Sequence, residues 1–311
     1  MTYALHAKNE LARRELGSVC CQSAELTAFI RLGGNIQITG RRITLNVVTS
    51  NPAVARRIFT LFKNIFNLSS EILVRKKIRL RKNNVYLIRI SEPAKVKEVL
   101  SRLGMMRGGA LIREPDSRVG QSKCCRRSYL RGAFLSAGSV SNPESSYHLE
   151  IYTDYQEQAE QLVGTIETFN LKAKITTRKN GFLVYIKDSD QIVEFLSVIG
   201  AHSALLNFEN VRIIKGIRNS INRLINFETA NVNKTVEAAV NQTEYIRIID
   251  RAIGVEALPD PLRQLAELRL HHPEASLQEL GEMLAPPLGK SGVNHRMRKL
   301  EKMADRFSKN G

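Results

Sequence analysis

The chain has 311 residues, with 47 Lys plus Arg against 30 Asp plus Glu, and a formal net charge of +17. Apolar residues make up 43% and charged residues 25%, a balance that excludes wholesale disorder and predicts two or three packed domains. No apolar run reaches the roughly 18 residues of a bilayer span. Met1–Leu16 lacks a signal-peptide core, and four cysteines do not make a secreted disulfide framework, so a cytoplasmic protein without a membrane partner is expected.

Along the chain an internal duplication organises the elements. Cys20-Cys21 recurs as Cys124-Cys125, and at the same offset Leu26 meets Leu130, Gly34 meets Gly138 and Leu45 meets Leu149. After a loss of about eight residues the matches continue, with Asn84 on Asn180, Leu87 on Leu183, Glu98 on Glu194 and Gly104 on Gly200. The first copy reads as a helix near 23–32, a hairpin of 35–38 with 43–48, and a helix near 52–66. A hairpin of 72–80 with 85–90 and a helix near 94–103 follow. The second copy reads as a helix near 127–136, a hairpin of 139–140 with 147–153 and a helix near 155–169. Its second hairpin is 173–177 with 182–186, and a helix near 190–199 closes it. Turns at Asn83-Asn84 and Asn180-Gly181 suit positive φ. The fold class is α+β: two αββαββα repeats about a pseudo-two-fold axis, followed by an all-α domain.

The C-terminal third reads as helical. Residues 218–257 form a connector, expected as a solvent-facing helix pair, and Pro259 and Pro261 mark its end. Three helical patterns follow. Residues 262–271 carry Leu262, Leu265, Leu268 and Leu270 near helical spacing. Ser276 with Glu279 makes a capping box before 277–284. Ser291 opens a basic helix, 292–306, with Val293, Met297, Leu300 and Met303 as its apolar stripe. This is a helix-turn-helix arrangement, with 276–284 supporting and 291–306 as the recognition helix. Domain limits are therefore 1–217, 218–257 and 258–311, with repeats near 20–105 and 124–201.

Charge points the same way. Residues 1–150 carry 26 basic and 10 acidic groups, whereas residues 151–250 carry 11 and 12. Lys290–Gly311 holds 7 basic against 2 acidic. Such concentrations gather phosphate polyanions, so double-stranded DNA is the expected partner. In the recognition helix and its support the candidate contacts are Ser276, Gln278, Lys290, Ser291, Asn294, His295, Arg296, Arg298, Lys299 and Lys302. On the first repeat, strand periodicity puts Arg75, Lys77, Arg79 and Arg81 on one face, with Arg41 and Arg42 on the neighbouring turn. The second repeat has only Lys172, Lys174, Arg178 and Lys179 in the matching hairpin, so the halves are electrostatically unequal.

The paired helices Glu25-Leu-Thr-Ala-Phe-Ile-Arg-Leu-Gly-Gly-Asn-Ile36 and Tyr129-Leu-Arg-Gly-Ala-Phe-Leu-Ser-Ala-Gly-Ser-Val140 resemble the motif helices of the LAGLIDADG homing endonucleases. Small residues Ala28 and Gly132 fall where that family's two helices cross. In that family an acidic residue before the motif's last Gly binds the metal that activates water. Here Gly33 and Ala137 occupy those positions, and the nearest acids, Glu25 and Glu144, lie elsewhere. The repeats and the C-terminal module, in this order, resemble the WhiA family of bacterial regulators. The carrying stretches are Leu130–Pro143, Tyr147–Ile151, Asn222–Asn226 with Ala230-Asn231, and Leu288–Arg296.

That resemblance implies a non-catalytic, nucleoid-associated DNA-binding regulator linked to cell division, chromosome segregation or sporulation, with transcription or cell-division proteins as further partners. Two alternatives stay open: an endonuclease with relocated acids, and a protein-docking scaffold whose C-terminal domain alone binds DNA. No cofactor and no metal are expected. Adjacent Cys pairs lack the spacing of a structural zinc site and read as tight packing. His271-His272 reads as a helix end.

Overall fold

The computed structural model describes residues 2–40, 42–76, 84–112 and 122–309. The chain divides into two compact units, Met1–Lys215 and Gly216–Gly311.

In the first unit α1 (Tyr3–Arg13) precedes the duplication. Repeat one comprises α2 (Val19–Gly33), β1 (Gly34–Thr39), β2 (Arg42–Thr49), α3 (Pro52–Phe66), β3 (Glu71–Lys76), β4 (Asn84–Ile90) and α4 (Pro93–Arg102). A short hairpin, β5 (Met106–Arg107) and β6 (Ala110–Leu111), follows. Repeat two comprises α5 (Lys123–Ala137), β7 (Gly138–Val140), β8 (Leu149–Thr153), α6 (Gln156–Glu167), β9 (Lys174–Arg178), β10 (Gly181–Ile186) and α7 (Ser189–Ile199). Both repeats are αββαββα, and their antiparallel sheets share one topology, β1-β2-β4-β3 and β7-β8-β10-β9.

The parallel extends to local chemistry. Each motif helix runs straight into a strand, with Gly34 N donating to Ile30 O and Gly138 N to Phe134 O at the two ends. Capping differs between the copies: Asn51 caps α3 by accepting from Ala53 N and Val54 N while Tyr155 before α6 makes no side-chain cap, and Asp188 caps α7 by accepting from Gln191 N while Glu92 before α4 makes none. The tight turn between β9 and β10 is Lys179-Asn180, because Gly181 already pairs with Arg178. The residue at positive φ is therefore Lys179, at 55°, one step before the Asn180-Gly181 expected from sequence. Asn83 and the distal part of the expected 72–80 strand fall on residues 77–83, outside the described ones, and Asn84 opens β4.

Strand alternation decides which face is covered. Leu45, Val47, Ile88, Ile90, Leu149, Ile151, Val184 and Ile186 are buried against the helices. Phe29, Phe62, Phe134 and Phe195 fill the same core. Helix α1, which sequence patterning left unassigned, seats Ala7 and Leu11 at 0% exposure in it. Glu10 of α1 accepts from Ser203 N at 2.7 Å and Ala204 N at 2.9 Å, and the Tyr3 hydroxyl donates to Ala204 O. A carboxylate thus satisfies the free amides at the start of α8 (His202–Ile253), and its charge suits the positive helix end. The expected connector is part of this one helix of 52 residues, not a helix pair. The chain has no proline between Pro143 and Pro259 to break it.

The second unit packs α9 (Asp260–His271), α10 (Leu277–Met283) and α11 (Lys290–Lys309) with the end of α8. Leu262, Leu265, Leu280, Val293, Met297 and Leu300 are buried at its centre, with Ile246 and Ile249 of α8. Arg269 is also buried there, at 2% exposure. Its guanidinium donates to Ala275 O at 2.6 Å and reaches His272 O and Pro273 O, tying the bend between α9 and α10.

Candidate nucleic-acid interface

The apolar stripe of α11 determines which of its side chains face water. With Val293, Met297, Leu300 and Ala304 buried, the opposite face carries Ser291, His295, Arg298, Lys299 and Lys302, all exposed. Residues three and four apart on a helix are neighbours, so these groups form one continuous basic strip. Asn294 and Arg296 are half-buried on its flanks. Arg296 donates to Pro261 O at 3.2 Å, which ties α11 to the first turn of α9. The helix begins at Lys290, one residue before the expected Ser291, and Gly289 O receives the first-turn amides of Gly292 and Val293.

The supporting helix has the expected capping box. Ser276 Oγ accepts from Glu279 N at 3.3 Å, and Glu279 Oε2 accepts from Ser276 N at 2.7 Å. That backbone donor holds the Glu279 carboxyl below the usual carboxylate range. Ser276→Ala is expected to cost about 1 kcal/mol of stability, read as a lower urea midpoint. Gln278 and Lys290 are exposed at either side of the turn. Gly281 permits that turn to close: a Cβ there would stand 2.0 Å from Leu288 O.

On the first repeat, β-sheet register places Asn46 opposite Arg89 and Arg75 opposite Val85. Arg42, Asn46, Arg75 and Arg89 therefore lie on the face away from the core. Arg89, which sequence reasoning passed over, donates to Asn46 Oδ1 at 2.9 Å. Its signal was strand parity with Leu87. Arg41, Lys77, Arg79 and Arg81 lie outside the described residues. The matching face of repeat two has Glu150 among Lys174 and Arg178. Arg178 sits 3.3 Å and His148 3.1 Å from its carboxylate. Acidic neutralisation, together with fewer cations, makes the two faces unequal.

Between the sheets, α2 and α5 cross in intimate contact. A Cβ on Gly132 would lie 2.5 Å from Glu25 O and 3.0 Å from Ala28 Cβ. At the far end, a Cβ on Gly33 would lie 2.5 Å from Ser136 Oγ, so the two positions that carry acids in the endonuclease motif belong to touching helix ends. Gly33 and Ala137 offer no metal ligand there. Glu25, considered as a relocated acid, is instead 2% exposed and paired with both Arg57 and Arg131. It precedes Gly33 by about 12 Å of helix. Burial pulls the Arg131 guanidinium down from its ordinary value, and its Nε donates to Ile199 O at 2.7 Å. Glu144, the other acid, sits in the loop after β7, where its amide donates to Asn142 Oδ1.

The opposite ends of the same two helices bring together what sequence reasoning judged separately. Cys20, Cys21, Cys124 and Cys125 place their four sulfurs within 4.8 Å of one another. Each pair on its own has poor ligand spacing, and only the helix crossing reveals the group of four. A hydrogen bond from Ser122 lowers the Cys124 thiol to about 7, whereas burial pushes Cys125 up to about 12.

Comparison with known proteins agrees along the chain. Residues 19–106 match the WhiA N-terminal LAGLIDADG-like domain, residues 126–218 the WhiA LAGLIDADG-like domain, and residues 221–304 the WhiA C-terminal HTH domain. A probable cell division protein WhiA of Desulforamulus reducens is 53% identical over 310 residues, covering 99% of this chain and 96% of that one. One from Heliobacterium modesticaldum is 53% identical over 315 residues, covering 100% and 98%. The crystal structure of full-length WhiA from Thermatoga maritima is 28% identical, covers 99% of both chains and superposes with a TM-score of 0.61. With three matching domains in one order and such relatives over its whole length, the chain belongs to the WhiA family.

Proposed function

We propose that the chain is a non-catalytic regulator that binds double-stranded DNA at the nucleoid and acts in cell division, chromosome segregation or sporulation. The observation that carries the reading is the exposed basic strip of α11, His295, Arg298, Lys299 and Lys302, set opposite a fully apolar packing face. A helix of this kind presents cations to phosphates along its length and polar side chains to base edges at its first turns. In this reading Ser291, Asn294, His295 and Arg298 meet the base edges, and Lys290, Lys299 and Lys302 the backbone. Arg42, Arg75 and Arg89 give the first sheet a second, sequence-tolerant contact. Tethering the two raises the local concentration of one when the other is bound.

Chemistry at the helix ends supports the non-catalytic reading. Glycine and alanine side chains carry no oxygen to hold a divalent ion, and Glu25 is already spent on two guanidiniums. The relatives' names as probable cell division proteins support the cellular assignment.

Duplex binding by the full chain across a salt series tests this. Lys299→Ala with Lys302→Ala is expected to reduce the log–log salt slope by about 2, roughly 1 per lost phosphate contact. Reversing charge at Arg42, Arg75 and Arg89 is expected to weaken binding further. Unchanged binding in that second variant would mean that the sheet docks protein rather than DNA. Plasmid nicking in Mg²⁺ by the purified chain would overturn the non-catalytic reading.

A further inference from the structure

Among the described residues, one group of three or more His, Cys, Asp or Glu side chains is close enough to share an ion: Cys20 and Cys21 at the start of α2, with Cys124 and Cys125 at the start of α5. We propose that these four thiols are the ligands of a single zinc ion that clamps the two repeats together, a site independent of DNA binding.

Geometry favours one ion of this class. With Zn–S bonds of about 2.3 Å, a tetrahedral site has sulfur–sulfur edges of roughly 3.8 Å. Four sulfurs already within 4.8 Å need to close by about 1 Å or less along any edge. A four-iron cluster holds its thiolates wider apart than that. Successive helix residues diverge by about 100° about the axis, so neither pair can surround an ion by itself. Two pairs meeting across the pseudo-two-fold axis supply two edges of a tetrahedron, one from each repeat. All-thiolate ligation selects soft or borderline metals over magnesium and calcium.

The surroundings are built symmetrically. Ser18 Oγ lies 3.2 Å from Cys20 Sγ, and Ser122 Oγ lies 3.1 Å from Cys124 Sγ, at matching positions of the two copies. Such hydroxyls orient ligands from outside the coordination sphere. Cys21 and Cys125 are buried while Cys20 and Cys124 are exposed, which leaves a route for the ion from solvent. As Zn²⁺ binds, four thiol protons leave to water and the site carries two negative charges. The cysteines lie in the first turns of α2 and α5, whose positive helix ends favour that charge. Thirteen residues separate Cys20 from Gly33, about 20 Å of helix, so the ion sits at the end of the helix pair remote from the vacant acid positions.

The test uses the full chain, purified reduced and without chelator. Elemental analysis is expected to find one zinc per chain. Cobalt titrated into reduced, metal-free chain is expected to develop thiolate charge-transfer and tetrahedral d–d absorption, saturating at one equivalent. Cys20→Ser and Cys124→Ser, both at exposed positions, are expected to weaken cobalt binding by more than the roughly 10- to 100-fold typical of losing an outer partner. Their circular dichroism checks the fold, and if they do not fold, the titration of the unaltered chain decides. Reduced chain that develops no thiolate–cobalt absorption overturns the proposal. So does chain isolated without oxygen that holds no metal and carries Cys20–Cys125 or Cys21–Cys124 as disulfides.

Discussion

Glu25→Ala is expected to destabilise the first unit by about 3–5 kcal/mol, the cost of leaving buried charges without their partner. Glu25, Arg57 and Arg131 are 2%, 4% and 8% exposed, and the carboxylate touches both guanidiniums. Arg57 belongs to α3 of the first repeat and Arg131 to α5 of the second, so the triad joins the halves through one side chain. Truncation leaves Arg57 with Arg14 O at 2.6 Å and Ala12 O at 3.4 Å, and Arg131 with Ile199 O, as remaining acceptors, none of them charged. Urea unfolding followed by circular dichroism measures the loss. Glu25→Gln preserves shape and one acceptor and is expected to lose less. A variant within 1 kcal/mol of the parent would show that water reaches the arginines.

The second large effect concerns a single hydrogen atom. Gly132→Ala adds a Cβ 2.5 Å from Glu25 O, and a backbone carbonyl in a packed helix does not swing aside as a side chain end does. Overpacking of this kind costs about 1–3 kcal/mol. In an open helix the same change is favourable by up to about 1 kcal/mol, because glycine is the poorer helix former. Gly164 in α6 provides that comparison, with nothing within 4 Å of its added Cβ. Thermal melts of the two variants are therefore expected to shift in opposite directions.

Much of this fold was legible from the duplication. A repeated Cys-Cys, a repeated small residue at the crossing and two Gly stops aligned the helices and hairpins before any contact was known. Those features are local, and periodicity of 2 or 3.6 residues reads them directly. The capping box at Ser276 and the apolar stripe of α11 were legible for the same reason. What stayed hidden depends on chain segments far apart. Helix α1 earns its place through Glu10 and Tyr3 contacts with residues near 204. The Glu25–Arg57–Arg131 triad spans both repeats, and the four cysteines become one group only when α2 and α5 cross. Arg296 also donates to Pro261 O, a partner 35 residues away that no local pattern reveals.

The link between α1 and the start of α8 also bears on how the chain is made. Its hydrogen bonds join residues 193 to 201 positions apart, so both repeats must emerge after α1 before they can close. Closing so long a loop is entropically costly and slow relative to neighbouring contacts. Helix α1, made before both repeats, is thus among the last elements of the first unit to complete its bonding. A nascent chain arrested before residue 203 would hold every element of both repeats while its leading segment still lacked those partners.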